Sequence, residues 1–507
     1  MKPFPFRYFR PSTGINGAGE GGASGSPGAL VNAPADALGV TAEVLLAGAT
    51  VVTMDAQRRI LEPGAVAFSP STGALLSVGP DAEVRAAHPD ADVVDCTGSV
   101  VLPGFVNTHT HLFQTLLKGL GDDRVLSDWF TAMTGPSAVE LTERDSYAAA
   151  LHGCAEALTT GTTTLLDFMY VHPRPGLADA VARAMTDIGI RGVVARGYAT
   201  AGADVGVPEP LIEPLDAALS DAGRLIGEWN RPGSRVTAGL APCMSWSVDE
   251  PTLRATRALA NDTGALVTMH VSESDFDVTE SLRRFGVRDV PLLDRTGLLG
   301  PDLLAVHCVQ CDDADLALLA ASGTAVSHNP CSNLYLGSGF APIPAMLRRG
   351  ITVGLASDGP ASSSNHSMLQ ALKFAALLHK GVHRDPEILT AEEALEMATV
   401  GGAAALGMSD RIGSLEPGKR ADVVVLDMTN LCSTPMHQPV SALVYSGRGD
   451  EVDRVYVDGA LVVADGHLTS MDETGIRARS DEAARALTSR AGTSRFAHRP
   501  WRSRVAR

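Results

Sequence analysis

Eight short apolar runs, separated by helix-like stretches, constrain the fold of this chain more than any other feature. They lie at 101–109, 161–168, 191–198, 236–243, 265–271, 303–309, 324–328 and 352–358. Between them stand segments such as SYAAALHGCAEALTT, GLADAVARAMTDI, EPTLRATRALANDT and DDADLALLAAS. Strands that alternate with helices predict a parallel sheet, because each parallel pair needs a long crossover and a helix supplies it. Eight such repeats over roughly 260 residues have the size of a (β/α)8 barrel. An open, doubly wound sheet is the alternative.

The flanks have a different rhythm. Residues 1–40, with PSTGINGAGEGGASGSPGAL, are poor in groups that could offset ordering entropy and are expected to be disordered. Short β-like runs follow (AEVLLAGATVVTM, GAVAFSP, GALLSVG), and a matching set stands near the other end (ADVVVLDM, VDRVYVDGALVVADG). Two strand groups around a long middle predict one small β domain built from both ends, 41–100 with 408–470. The barrel then occupies 101–407, and 471–507 forms a helical, basic tail.

Charge and cysteine usage narrow the function classes. With 58 acidic against 41 basic residues the net charge is −17, which argues against nucleic acid or an anionic membrane as partner. The arginine-rich end, RPWRSRVAR, reads as a packed or solvated C-terminus beside that acidic body. Seven scattered cysteines supply no disulfide framework and fit a reducing compartment. No run of about 18 apolar residues predicts a membrane span. Lys2, Arg7 and Arg10 have no apolar stretch behind them, so a cytoplasmic protein is expected.

Active-site groups of a (β/α)8 barrel sit at the C-terminal strand ends. Read in order, those ends offer His109 and His111, then His270 and Glu273 in MHVSES, His307 in AVHCV, His328 in VSHNP and Asp358 in LASDG. Each has an ordinary structural reading alone: a hydrogen-bonded histidine, a turn aspartate, a solvated glutamate. Jointly, a barrel brings all seven to one mouth. His109 and His111 share a strand face because side chains alternate. Imidazole and carboxylate suit Zn²⁺, so His109, His111, His270 and Asp358 can hold a metal. Such a metal lowers the pKa of its bound water towards about 7, giving hydroxide at neutral pH. Glu273 then moves the proton to a leaving group, and His307 orients the hydroxide or shares that proton. With His307 pointing in, Cys308 of the C-x-x-C formed with Cys311 would point away.

These residues resemble the amidohydrolase superfamily, in the branch that holds atrazine chlorohydrolase, the S-adenosylhomocysteine deaminases and guanine-type deaminases. The segments that carry the resemblance are LPGFVNTHTHLFQTLLKGL, GTTTLLDF, HVSES, VHCV, SHNPCSNLYLGSGFAPIPAMLRRGITVGLASDG and GSLEPGKRADVVVLD, over about residues 42–470. The resemblance implies a distorted (β/α)8 barrel with a small β-sandwich from both termini. It implies one divalent metal ion per subunit at His109, His111, His270 and Asp358, with zinc expected and iron the alternative. Glu273 and His307 match the family's proton-transfer pair. Binuclear relatives carry a bridging carboxylated lysine on strand four, whereas VTAGLAPC has none, so one metal is expected. By the same analogy the chain forms a homo-oligomer.

Within the branch, DGPASSSN is closer to the deaminases, while ALKFAALLHKGVHRDPEILTAEEALEMATVGGAAALGM looks like the chlorohydrolase and melamine-deaminase group. The residues nearer the chemistry carry more weight. The expected reaction is hydrolytic deamination of an amino-substituted aromatic N-heterocycle of purine, pterin, pyrimidine or triazine type. Glu273 relays the proton, and Asp358 and His307 stabilise the tetrahedral intermediate. Triazine dechlorination, N-alkylamine hydrolysis and cyclic-amide hydrolysis are the alternatives, with a non-catalytic binding barrel behind them. For the substrate, Trp129 offers a stacking face or packs in the core. Arg196 pairs with a substrate anion or bridges acidic neighbours. His328 donates a hydrogen bond to the ring.

Overall fold

The computed structural model describes residues 42–501 and Ser503. The expected disorder of 1–40 and the last residues of the basic tail lie outside the described residues. Strands β1 (Val44–Val52), β2 (Ile60–Ser69) and β3 (Ala74–Pro80) form an antiparallel meander. β4 (Asp92–Asp95) and β5 (Ser99–Pro103) add to β1 in parallel.

The chain crosses into the barrel at Gly104. The expected strand 101–109 is therefore divided: Val101–Pro103 belong to the β domain, and β6 (Phe105–Thr110) starts the barrel. Gly104 N donates to Asp422 O at 2.9 Å, and a Cβ here would stand 2.1 Å from the Thr163 side chain. That contact leaves room only for glycine, so the break is steric and no apolar pattern marks it.

The remaining barrel strands are β7 (Thr162–Met169), β8 (Arg191–Tyr198), β9 (Val236–Pro242), β10 (Val267–Val271), β11 (Leu303–His307), β12 (Ala325–His328) and β13 (Val353–Leu355). All neighbours pair in parallel and in sequence order. An open doubly wound sheet would reverse its strand order at a switch point; none occurs. The ends of the sheet meet instead. Ser357 N donates to Asn107 Oδ1 at 3.1 Å, Thr108 Oγ1 to Leu355 O at 3.1 Å, and Asp358 N to His109 O at 3.1 Å. Gly354 permits this closure, since a Cβ would lie 2.4 Å from Thr108 Cγ2.

After the barrel, β14 (Val423–Asp427), β15 (Val452–Val457), β16 (Ala460–Ala464) and β17 (His467–Leu468) return to the first sheet. β14 pairs antiparallel with β5, Val425 opposite Val101, so both ends of the chain share one sheet. Its core includes Leu46, Val66, Phe68, Val423 and Tyr456. Arg191 on β8 forks onto Asp422 at 2.7 and 2.9 Å and pins the sheet to the barrel.

The C-terminal helix Glu473–Arg490 places Arg490 on Asp145 and Ser480 Oγ 2.8 Å from His152 Nδ1. Arg499 reaches Asp122 and Asp123 at 2.5 and 2.8 Å. These tail arginines thus pair with carboxylates of their own chain. All seven cysteines are free. Among the described residues, no helix is long and apolar enough to cross a membrane.

Candidate active site

The C-terminal ends of β6, β10, β11 and β13 converge on six side chains. His109 and His111 alternate with Thr108 and Thr110 on β6 and so point the same way. Their Nε2 atoms each stand 3.4 Å from Asp358 Oδ1. His111 Nε2 and His270 Nε2 are 3.3 Å apart. His307 Nε2 lies 3.5 Å from Glu273 Oε2 and 3.8 Å from Asp358 Oδ2. Ser272, His307 and Asp358 adopt left-handed backbone, with φ of 47°, 71° and 61°. Non-glycine residues reach that region at a cost of about 1–3 kcal/mol; here it turns the chain sharply where each strand ends.

The hydrogen bonds behind the imidazoles fix what their free nitrogens can do. His111 Nδ1–H donates to Phe168 O at 2.7 Å and His270 Nδ1–H to Cys243 O at 3.0 Å. A carbonyl can only accept, so in each neutral ring Nε2 carries a bare lone pair. Two such lone pairs facing each other at 3.3 Å repel. His109 is fully buried, and neither of its ring nitrogens has a hydrogen-bond partner. A cation among these donors would convert the repulsion into ligation, so the set fits a divalent metal. Ligand atoms of His109, His111 and Asp358 lie within 4.8 Å of one another, as do those of His109, His270 and His307.

Burial sets the protonation states. It pushes His109 down to about 4, His111 down to about 3 and His270 well below its ordinary value. The three rings are therefore neutral and ready to ligate near pH 7. Burial alone would raise the Asp358 carboxyl, but His109, His111 and His307 outweigh it and hold it well below its ordinary range. Glu273 has no such ring of imidazoles. Burial raises it to about 7, with His307 opposing, which suits a group that takes and returns a proton. Ser338 Oγ donates to Glu273 Oε1 at 3.4 Å, and His307 Nδ1–H donates to Asn333 Oδ1 at 2.9 Å.

Above this floor opens a cleft of about 630 Å³, the size of a small-molecule site. Trp129, Phe130, Tyr170, Trp246 and Phe276 supply most of its wall. Trp129 Nε1 donates to Ala361 O at 3.1 Å and Trp246 Nε1 to Asp277 Oδ1 at 2.8 Å. Both indoles are thereby fixed in orientation.

Residues 100–462 match the model of the Amidohydrolase family. The 5-methylthioadenosine/S-adenosylhomocysteine deaminase of Nitratidesulfovibrio vulgaris is 37% identical over 450 residues, 89% of this chain and 99% of that protein. The chain belongs to the amidohydrolase family. Among solved amidohydrolase-like structures, an adenosine deaminase from Xanthomonas campestris with bound zinc superposes with a TM-score of 0.83 at 31% identity, covering 88% of this chain and 99% of that one. The zinc complex of the atrazine chlorohydrolase TrzN from Arthrobacter aurescens gives 0.82 at 27% identity, covering 87% and 100%.

In this amidohydrolase the expected site residues divide. His109, His111, His270, Glu273, His307 and Asp358 meet at the floor, and Trp129 lines the cleft. Two expectations are corrected. Arg196 does not line the cleft: it is 3% exposed and held by Glu213 at 2.6 and 2.7 Å and Asp221 at 3.1 Å, which is the bridging alternative. His328 is also absent from the lining; its fully buried ring packs against His379, centroids 5.5 Å apart. Sequence reasoning passed over Asn333, Gln114, Tyr170 and Trp246. Tyr170 directly follows β7, so the rule of strand ends would have found it had aromatic residues been read alongside titratable ones.

Proposed function

We propose that this amidohydrolase is a hydrolytic deaminase of an aminated aromatic N-heterocycle. The observation that carries the reading is the pairing of Glu273 with His307, 3.5 Å apart, beside Asp358 at the floor of an aromatic-walled cleft. The deaminase names of the Nitratidesulfovibrio and Xanthomonas proteins support it. In this reading His109, His111, His270 and Asp358 hold one divalent ion, zinc by likeness to the zinc-bound Xanthomonas enzyme. When bound, such an ion supplies Lewis acidity and an acidified water.

The chain's own residues do the rest. The aromatic wall holds a flat ring with its amine-bearing carbon towards the floor. Glu273 accepts a proton from the attacking water and passes it to the ring nitrogen beside that carbon. His307, anchored through Nδ1–H on Asn333, presents Nε2 to Glu273 and Asp358 and steadies the charge that develops between them. A second proton relayed through Glu273 leaves with the amine, so that water adds, ammonia departs and the ring carries a carbonyl.

The test is ammonia release from a panel of amino-purines, pterins, pyrimidines and triazines, using protein of measured metal content. Turnover of at least one ring type is expected. TrzN favours one second reading, hydrolytic dechlorination of a triazine; chloride release without ammonia release would select it.

A further inference from the structure

The cleft is short of one kind of group. Among the described residues that line it there is no lysine or arginine, whereas Glu273 and Asp358 are both present. Arginines carried by the surrounding elements are committed elsewhere. Arg196 is clamped by Glu213 and Asp221. Arg283 and Arg284, on the helix that contributes Phe276, pair with Asp204 and Glu280. Arg124, two residues before the lining Leu126, stands over the Phe496 ring at 4.7 Å. A second cavity of about 280 Å³ adjoins the cleft across Phe130, Tyr170, Met244 and Trp246, and its far side is apolar, with Ala199, Val207 and Leu211.

With the amine end of a substrate at the floor, its substituent meets these walls. A carboxylate or phosphate there would be desolvated with no counter-charge, beside two acidic groups, which is strongly unfavourable. An uncharged, apolar substituent loses nothing and gains contact with the aromatic wall and annex. We infer that the substrate is an aminated heterocycle with an uncharged, largely apolar substituent, and that ring derivatives ending in an anion are rejected. This rests on the deaminase reading above and deepens it. It also separates this chain from the S-adenosylhomocysteine part of its relative's name, since that thioether ends in an amino-acid group.

Three pairs of compounds, each matched in its ring and differing by an anionic group, test the inference: 5-methylthioadenosine and S-adenosylhomocysteine, adenosine and its 5′-monophosphate, pterin and pterin-6-carboxylate. On any ring that is turned over, kcat/KM of the neutral member is expected to exceed that of its partner by about 100-fold or more. Equal values, or a preference for the anion, overturn the inference. Thr131→Arg, which places a cation at an exposed point of the cleft wall, is expected to narrow the ratio at least about tenfold; an unmoved ratio would show that charge in the cleft does not set the preference. No ammonia from any of the compounds would count against the deaminase reading alone. The same pairs would then be titrated as ligands by calorimetry on zinc-loaded protein, with tighter binding of the neutral member expected and tighter binding of the anion overturning the inference.

Discussion

Trp246 and Asp277 are joined by a hydrogen bond, indole Nε1–H to Oδ1, at 2.8 Å. The other oxygen of that carboxylate accepts from Ser274 N and Ser274 Oγ, both at 2.7 Å. One side chain thus ties a wall of the cleft to the first turn of helix Asp275–Phe285, directly after Glu273. Asp277→Ala removes the helix cap and frees the indole. Expected are a loss of about 1–3 kcal/mol in stability and a rise in KM of about fivefold or more, larger than any fall in kcat. Urea melts and steady-state kinetics read both; an unchanged KM would show that Trp246 does not depend on this anchor.

His307 belongs to one of the two ligand-distance groups and also faces Glu273. Metal content separates ligation from proton handling. His270→Ala and Asp358→Ala are expected to weaken metal binding beyond the roughly 10–100-fold that outer-shell partners command, and His307→Ala and Glu273→Gln to retain it. Glu273→Gln should also lower kcat by about 10²–10⁴. Elemental analysis after dialysis reads the first effect without reference to turnover. Full metal in Asp358→Ala, or wild-type kcat in Glu273→Gln, would break the assigned roles.

The metal-type cluster was legible because strand periodicity and the strand-end rule both act on sequence. His109 and His111 two residues apart must share a face, and closing the barrel brings distant strand ends together. What that rule cannot give is the turn of the chain just beyond the strand. His307 reaches the floor through a left-handed residue, whereas His328 at the end of β12 packs against His379 of helix Met368–His383. Arg196 misled for another reason: Glu213 and Asp221, which occupy it, come from a loop and a helix far enough along the chain to leave no local pattern. The cleft walls escaped for a related one. Trp246 follows β9, which carries no ligand and so drew no attention.

Arg196 is buried with its guanidinium shared between two carboxylates and the carbonyl of Gly197. Removing the cation strands Glu213 in a partly buried site. Arg196→Met is expected to cost about 3–5 kcal/mol of stability while leaving KM for a neutral heterocycle near the wild-type value at 25 °C. Thermal melts and kinetics on the folded fraction distinguish this from a binding role, which would raise KM without lowering the melting temperature.

Asp289 gives stability a pH dependence of its own. It is buried, accepts from Ser272 Oγ at 2.8 Å and stands near Asp277; burial first, then that carboxylate, raises it from 3.8 to about 6. The folded protein therefore binds this proton more tightly than the unfolded chain does. Below pH 3.8 both states are protonated and nothing is lost. As pH rises through the interval to 6, the folded state must ionise a buried acid, and above 6 the cost is constant. By linkage that cost is on the order of 1–3 kcal/mol. Asp289→Asn keeps an oxygen for Ser272 and cannot ionise. The variant is expected to be more stable than wild type by that order at pH 8, with the gap closing steadily as pH falls towards 4. Urea unfolding across this range measures it, and a gap independent of pH would mean that Asp289 is not the group that titrates.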